Sequence, residues 1–158
     1  MGDPLVELAI DLRGKLTPAE QLAVLDAALQ RAFGFKVFSI NRYDAATDET
    51  SRIYSTAPLV WPIAGRKKRK PNFWSAQVID RGEIHIGSTA DDIRAVFDDH
   101  AQIAAQGCAA ILNIPVRWNG KTLGALNLLH EAHHYDGCDR GRALAFAALA
   151  VPILAEVD

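Results

Sequence analysis

Hydrophobic residues recur at two different spacings along the chain, which therefore alternates between predicted helices and predicted strands. The clearest helical pattern begins with a capping box formed by Thr17 and Glu20, and it ends at Gly34. The clearest strand pattern is a hairpin with its turn at Asn119-Gly120, a dipeptide that favours a two-residue turn.

The predicted elements follow one another without an internal repeat or an interdomain linker. The predicted helices are 17–33, 72–81, 91–97, 100–106 and 139–156, and the predicted strands are 35–43, 51–55, 83–86, 109–118 and 122–130. Ala57–Pro71 carries three prolines and a basic run, so we expect a long loop there. Together these elements predict one α+β domain over residues 1–158, with a core at about 17–157.

Charge and hydropathy exclude several classes of protein. The balance of 17 Lys and Arg against 19 Asp and Glu predicts no nucleic-acid partner and no membrane partner. The apolar stretch Ala143–Ala155 is shorter than the ~18 residues of a spanning helix. The amino terminus lacks a secretory signal pattern, so we expect a cytoplasmic protein in which Cys108 and Cys138 are reduced.

Four stretches of the chain resemble GAF domains, a small-molecule-binding sensory fold related to PAS domains. They are Phe38–Tyr43 (FSINRY), Arg52–Pro62 (RIYSTAPLVWP), Gly107–Val116 (GCAAILNIPV) and Asn119–Leu129 (NGKTLGALNLL). The resemblance implies a central antiparallel sheet with the terminal helices on one face and ligand-covering helices and loops on the other. Family members bind cyclic nucleotides, tetrapyrroles, haem, amino acids and other metabolites, so the resemblance selects no ligand or cofactor.

Polar side chains on the predicted strands indicate a pocket. Strands buried on both faces are almost purely apolar, yet these carry Ser39, Asn41, Asn113 and Asn127. Alternation places Ser39 and Asn41 on the same face of their strand. A buried amide needs a hydrogen-bond partner, which is either a polar ligand or the backbone and structural water.

Aromatic residues of the predicted cover, together with Tyr54 on a strand, form either the walls of this pocket or a hydrophobic core. The family layout also brings His100, a group that titrates near neutral pH, toward the pocket. The candidate ligand-binding residues are Asn41, Tyr54, Trp74, His100, Asn113 and Asn127. The histidine-rich loop His130–Asp136 matches no standard zinc spacing, so no metal ligand is assigned.

The cysteines bear on an enzymatic alternative. Within the GAF resemblance, the free methionine-(R)-sulfoxide reductases use pocket cysteines as nucleophile and resolving thiol, mostly ahead of the strand that carries an xxPV motif. Here only Cys108 precedes that strand, and Cys138 follows the last strand. This departure favours an ordinary buried thiol at Cys108.

Two further segments suggest interactions. The basic run Arg66–Lys70 either attracts a phosphate or an acidic partner, or is a solvated loop that balances the acidic middle helices. The last predicted helix is apolar on every side, and such a helix is buried on every side, so we expect a homodimer through the terminal helices. Pro152 is expected to kink or end that helix near Ala148.

Taken together, the sequence predicts a homodimeric sensory or regulatory GAF domain that binds a polar metabolite in an aromatic-lined pocket. Its output, a change in dimer geometry or in loop order, would be read by a separate protein. The first alternative is a GAF-fold enzyme, using either the Cys108 thiol or His100 with a carboxylate. The second is a subunit that assembles with a larger complex through its last helix.

Overall fold

A computed structural model describes residues 2–155. The strands are β1 Val37–Asp44, β2 Glu49–Ser55, β3 Lys67–Lys68, β4 His85–Gly87, β5 Ala110–Trp118 and β6 Lys121–His130. The helices are α1 Pro4–Asp11, α2 Pro18–Ala32, α3 Phe73–Ser75, α4 Ala90–Arg94, α5 His100–Ala105 and α6 Arg140–Ala155, and a π-helical segment, Ala76–Asp80, continues α3. The predicted helix end at Glu156 lies outside the described residues.

The strands form one antiparallel sheet in the order β3-β2-β1-β6-β5-β4, and α1, α2 and α6 cover one of its faces. The main core lies between these helices and the sheet, where Leu25, Phe38, Leu126 and Phe146 are fully buried. The other face is covered by the loop after β2 and by α3, α4 and α5. This arrangement confirms the predicted α+β fold with the terminal helices on one face.

The capping and turn signals of the sequence act as predicted. Thr17 Oγ1 accepts a hydrogen bond from the backbone N–H of Glu20 at 3.2 Å, and this bond begins α2. Asn119 and Gly120 have φ values of 49° and 75°, the left-handed conformation that the tight turn between β5 and β6 requires. Local chemistry therefore determines these boundaries.

The two ends of the chain differ from the prediction. No helix is predicted before residue 17, yet Asp3 caps α1 by accepting from Leu5 N at 2.9 Å, and Leu8 is buried in the core. Pro152 is predicted to kink or end the last helix near Ala148; it does not end the helix, because α6 continues to Ala155. Pro152 lies in the final turn, where its missing N–H removes only one bond of the helix.

The cover of the second face is attached to the sheet through the π-helical segment. Thr122 Oγ1 on β6 donates to the carbonyl of Ile79 at 2.6 Å, and Arg117 Nη1 donates to Thr122 Oγ1 at 3.0 Å. The Gln77 side chain donates to the carbonyl of Ile84 at 2.7 Å. These bonds fix α3, and with it Trp74, over the sheet.

A β-bulge in β2 separates Tyr54 from Arg52. Ile40 pairs with Tyr54 and Asn41 pairs with Arg52, so β2 has one extra residue, Ile53. On a regular strand the side chains of Tyr54 and Arg52 would share a face. The extra residue leaves Tyr54 against the helix-face core and places Arg52 on the opposite face with Asn41.

Candidate functional site

A cavity of about 110 Å³ lies between the second face of the sheet and its cover. Trp61, Trp74 and Phe97 line it from the cover, and Asn113 and Asn127 line it from the sheet. We call this space the inner cavity.

Polar residues cross the sheet in one row beneath the inner cavity. Ser39 on β1 lies opposite Asn127 on β6, Asn127 lies opposite Asn113 on β5, and Asn113 lies opposite His85 on β4. Because residues opposite one another on neighbouring strands share a face, the row presents a polar stripe to the inner cavity. The sequence indicates three of these four residues.

Asn113 is the centre of a hydrogen-bond network. Its Oδ1 accepts from Trp74 Nε1 at 3.0 Å and lies 3.0 Å from His85 Nδ1, while its Nδ2 donates to Asn127 Oδ1 at 2.7 Å. Since indole nitrogen only donates, the Asn113 amide oxygen must face Trp74. His85 Nδ1 then carries a proton and donates as well.

His85 is a functional candidate that sequence reasoning missed. It is 8% exposed, and burial lowers the pKa of its imidazole below the usual 6.5. The bond to Asn113 requires a proton on Nδ1, and burial favours the neutral form of the ring. His85 therefore holds the Asn113 amide in one orientation, and no sequence motif indicates this role.

Two buried polar atoms at the inner cavity have no hydrogen-bond partner within residues 2–155. They are the acceptor Asn41 Oδ1 and the donor Arg52 Nε. Arg52 Nη1 donates to the carbonyl of Pro62 at 3.2 Å. Burial lowers the pKa of Arg52, and the negative charge of Asp99 opposes that shift. Unpartnered buried polar groups cost free energy, so this corner suits a polar ligand.

Asp99 also lines the inner cavity. Its Oδ2 accepts a hydrogen bond from Trp61 Nε1 at 2.8 Å, and although it occupies the N-cap position of α5, its side chain makes no capping bond there. The predicted site residue His100 is the next residue along the chain, but it is not among those lining the cavity. The turn before α5 therefore brings the carboxylate of Asp99, and not the imidazole of His100, to the inner cavity.

The structure places the other candidates as follows. Asn41, Trp74, Asn113 and Asn127 all line the inner cavity, as expected from the sequence. The expectation that Tyr54 lines it is wrong, because the bulge puts Tyr54 on the opposite face. There the Tyr54 hydroxyl donates to Asp26 Oδ2 on α2 at 2.5 Å, and burial followed by this bond raises the pKa of Tyr54.

An outer cleft of about 470 Å³ adjoins the inner cavity and shares Arg52, Trp61 and Trp74 with it. Of the basic run Arg66–Lys70, residues 67–70 form part of its rim. Most of these cations are paired with acidic residues or the backbone: Arg66 with Asp44, Arg69 with Asp48 and Asp80, Lys70 with Asp98, and Lys68 with the carbonyl of Thr47. This pairing agrees with charge balance, but none of these acidic partners lies on the middle helices α4 and α5, which the basic run is expected to balance.

The two cysteines lie on opposite faces of the sheet. Cys108 is 3% exposed, packs in the cluster beside the inner cavity, and lies 3.7 Å from the carbonyl of Gln106 through its Sγ. Cys138 packs against the helix-face core. Burial raises the pKa of both thiols, which opposes formation of a nucleophilic thiolate.

The histidine-rich loop brings three potential metal ligands together. His130, Glu131 and His134 offer ligand atoms that all lie within 4.8 Å of one another. However, the two imidazoles stack in parallel with centroids 3.6 Å apart, and His130 Nδ1 accepts the backbone N–H of Glu131 at 2.8 Å. Lone pairs in parallel ring planes do not converge on one ion, so this arrangement does not fit a metal site.

The known proteins that resemble this chain do so in fold and not in sequence. No protein-family model matches the chain, and no curated protein matches it. Solved structures do match: the GAF domain of A. aeolicus Nlh2 in an inactive state has a TM-score of 0.73 and 15% identity, covering 96% of this chain and 93% of that one. The fold is that of GAF domains.

Two further solved structures with this fold represent different functions. The GAF domain of an Acinetobacter phosphoenolpyruvate-protein phosphotransferase has a TM-score of 0.71 and 13% identity, covering 97% of this chain and 91% of that one. Free methionine-R-sulfoxide reductase from Neisseria meningitidis, solved with its substrate, has a TM-score of 0.67 and 18% identity, covering 96% and 86%. A domain of a phosphotransferase and a reductase therefore share this fold. Within residues 2–155, every helix is too short or too polar to cross a membrane.

Proposed function

We propose that this GAF domain is a sensory or regulatory module that binds a small polar metabolite in the inner cavity. The observation that carries the proposal is that two residues lining this cavity, Asn41 and Arg52, each have a buried atom, Oδ1 and Nε, with no hydrogen-bond partner among residues 2–155. On the same face, Asn113 by contrast makes three hydrogen bonds. A ligand would supply the partners that Asn41 and Arg52 lack.

The domain acts, in this proposal, as a homodimer through its terminal helices. On α1 the apolar side chains of Val6 and Ile10 are more than half exposed, and on α6 Leu144 is 43% exposed. These two helices border an apolar groove of about 390 Å³ that Leu5 and Leu149 also line. A second copy of the same surface fits this groove because both sides are apolar helices, the usual composition of a homodimer interface.

The competing function is a thiol-dependent reductase similar to the free methionine-R-sulfoxide reductases that share the fold. Its nucleophile would be Cys108, which packs beside the inner cavity. The raised pKa of that thiol and the position of Cys138 on the other face oppose a nucleophile and resolving pair. We therefore favour a ligand-binding function over a catalytic one.

Native mass spectrometry of freshly purified protein tests both parts of the proposal. We expect a dimer that carries one extra small mass per subunit, which is absent from the Arg52→Gln variant. A bare monomer that also fails to bind any compound of a metabolite library would contradict the proposal. Turnover of methionine sulfoxide that is lost in Cys108→Ser would instead support the reductase.

A further inference from the structure

We propose that the inner cavity takes a small organic carboxylate that carries a hydrogen-bond donor, a hydroxyl or an ammonium group, on the carbon next to the carboxylate. The inference rests on the proposed ligand-binding function and adds the chemical class of the ligand. Arg52 binds the carboxylate, and Asn41 accepts the hydrogen bond from the neighbouring donor.

The edge of Arg52 formed by Nε and Nη2 has the shape of a carboxylate receptor. Nη1 is bonded to the carbonyl of Pro62, whereas no partner for Nε is present in the described part of the chain. Nε and Nη2 form one edge of the planar guanidinium, and two parallel N–H groups on such an edge match the two oxygens of a carboxylate. A neutral amide would fill only part of this edge.

Asn41 requires the second feature of the ligand. Its Oδ1 is buried and accepts no hydrogen bond from residues 2–155, and a carboxylate alone has no proton to donate to it. Asn41 and Arg52 lie directly opposite each other on β1 and β2, so their Cβ atoms are about 5 Å apart. The donor of the ligand must therefore be close to its carboxylate.

The charges around the inner cavity favour a monocarboxylate over a phosphate. Arg52 supplies one positive charge, while Asp99, a second lining residue, supplies a negative charge that would repel a dianion. Asp99 would also attract an ammonium group on the ligand. The shared chemistry of 2-hydroxy and 2-amino acids satisfies Arg52 and Asn41 together.

The volume restricts the size of the acid. A cavity of about 110 Å³ is smaller than a cavity of about 150 Å³ that holds one benzene molecule, so the inner cavity suits an acid of a few carbons. A longer side chain would extend into the outer cleft. Lys67 at the rim of that cleft would raise the local concentration of anions.

Calorimetric titration of the purified protein tests the inference with five probes: L-lactate, L-alanine, propionate, lactamide and inorganic phosphate. We expect L-lactate or L-alanine to bind, and whichever binds identifies a hydroxyl or an ammonium as the donor. Propionate, which lacks the donor, should bind about threefold to tenfold more weakly. Lactamide and phosphate should not bind measurably.

Variants of Arg52 and Asn41 test which of these residues makes each contact with the ligand. Arg52→Gln should weaken binding of the acid by tenfold or more, and Arg52→Lys, which keeps the charge but loses the planar edge, should weaken it as well. Arg42→Gln, which removes a charge only from the outer cleft, is the matched control and should change the dissociation constant by less than about threefold. Asn41→Ala should remove the preference for lactate or alanine over propionate. Circular dichroism melts check that each variant is folded.

The possible outcomes distinguish a failure of the carboxylate assignment from a failure of the proposed ligand-binding function. Lactamide or phosphate binding as tightly as the acid, equal binding by the folded Arg52 variants, or no binding of any of the five probes would overturn the carboxylate assignment. A ligand of another class in the native mass spectrum would then leave the proposed binding function standing. An empty cavity against a full metabolite library would overturn both.

Discussion

Trp74 of the cover donates its indole N–H to the Asn113 side chain of β5, 39 residues away, at 3.0 Å. Asn113 accepts from His85 through the same oxygen and donates to Asn127, so the cover and three strands are joined at one amide. This amide closes the inner cavity on one side, while on the other side the atoms Arg52 Nε and Asn41 Oδ1 have no partner among residues 2–155. Hydrogen bonds thus hold one wall of the inner cavity in place, whereas the other wall carries polar groups that a ligand could bind.

Asn113→Ala should lower the free energy of unfolding by about 2–4 kcal/mol. The substitution leaves the buried donors of Trp74 and His85 without an acceptor, and each unsatisfied donor costs about 1–3 kcal/mol. Urea unfolding measures the change. Ser39→Ala on the same polar row is the control and should cost less than about 1 kcal/mol, and equal costs for both would show that the network is unimportant.

The buried imidazole of His85 should make stability depend on pH. Burial lowers the pKa of His85 in the folded state below 6.5, so the unfolded chain binds more protons as pH falls below that value. The free energy of unfolding should therefore fall with decreasing pH, by up to about 1.4 kcal/mol per unit, until the folded pKa is reached.

His85→Asn isolates this contribution, since an asparagine amide can occupy the position of the Nδ1 donor without titrating. The difference in unfolding free energy between wild type and variant should narrow as pH falls from 7 toward 5, measured by urea unfolding at each pH. A difference that is constant across this range would contradict the neutral, buried imidazole.

Tyr54→Phe should lower stability without changing ligand binding. The hydroxyl bond to Asp26 joins β2 to α2 on the helix face, and its loss should cost about 1–2 kcal/mol. Because Tyr54 faces away from the inner cavity, the ligand affinity should change by less than about twofold. A large loss of ligand affinity in a folded Tyr54→Phe protein would show that Tyr54 belongs to the binding site.

Gly124→Ala should disrupt the strand that carries Asn41. A Cβ at position 124 would lie 2.0 Å from the carbonyl oxygen of Asn41 and 2.8 Å from Leu154 on α6. Since the nearest atom is backbone, β1 must move, and we expect a loss of about 3 kcal/mol or more in stability. Gly65→Ala, which meets nothing within 4 Å, is the control and should be close to neutral.

Ile10→Lys should dissociate the proposed homodimer. The Ile10 side chain is 56% exposed on the apolar groove between α1 and α6, where a buried lysine charge would be costly. Sedimentation velocity should show a monomer for this variant and a dimer for Ala19→Lys, an exposed position on α2 outside the groove. A wild type that is monomeric at all concentrations would refute the dimer.

Much of this structure is readable in the sequence because local rules determine it. Polar residues on predicted strands correctly indicate Asn41, Asn113 and Asn127 as cavity residues, since alternation along β1, β5 and β6 is regular near them. Arg52 and Tyr54 lie on opposite faces of the sheet because of a single extra residue in β2, and no turn or glycine signal marks that bulge. One-residue irregularities thus limit what alternation can predict.

The roles of Asp99 and His85 could not be predicted from the sequence for a different reason. Asp99 has the pattern of a helix cap, yet its carboxylate bonds to Trp61, which lies 38 residues earlier in the chain. His85 lies in a strand of only three residues, and its role depends on contact with Asn113. Such contacts between distant segments carry no local sequence signal.

The three tryptophans provide the most direct test of the central claim, that the inner cavity is a binding site. Trp61 and Trp74 line this cavity, while Trp118 at the hairpin end of β5 is 67% exposed. Indole N–H signals in a ¹H–¹⁵N spectrum report all three residues separately. After unfolding and refolding to remove any bound ligand, we predict that a small-molecule extract of the host cells shifts the Trp61 and Trp74 signals and leaves Trp118 unchanged. Three unchanged signals, or a shift confined to Trp118, would contradict the account.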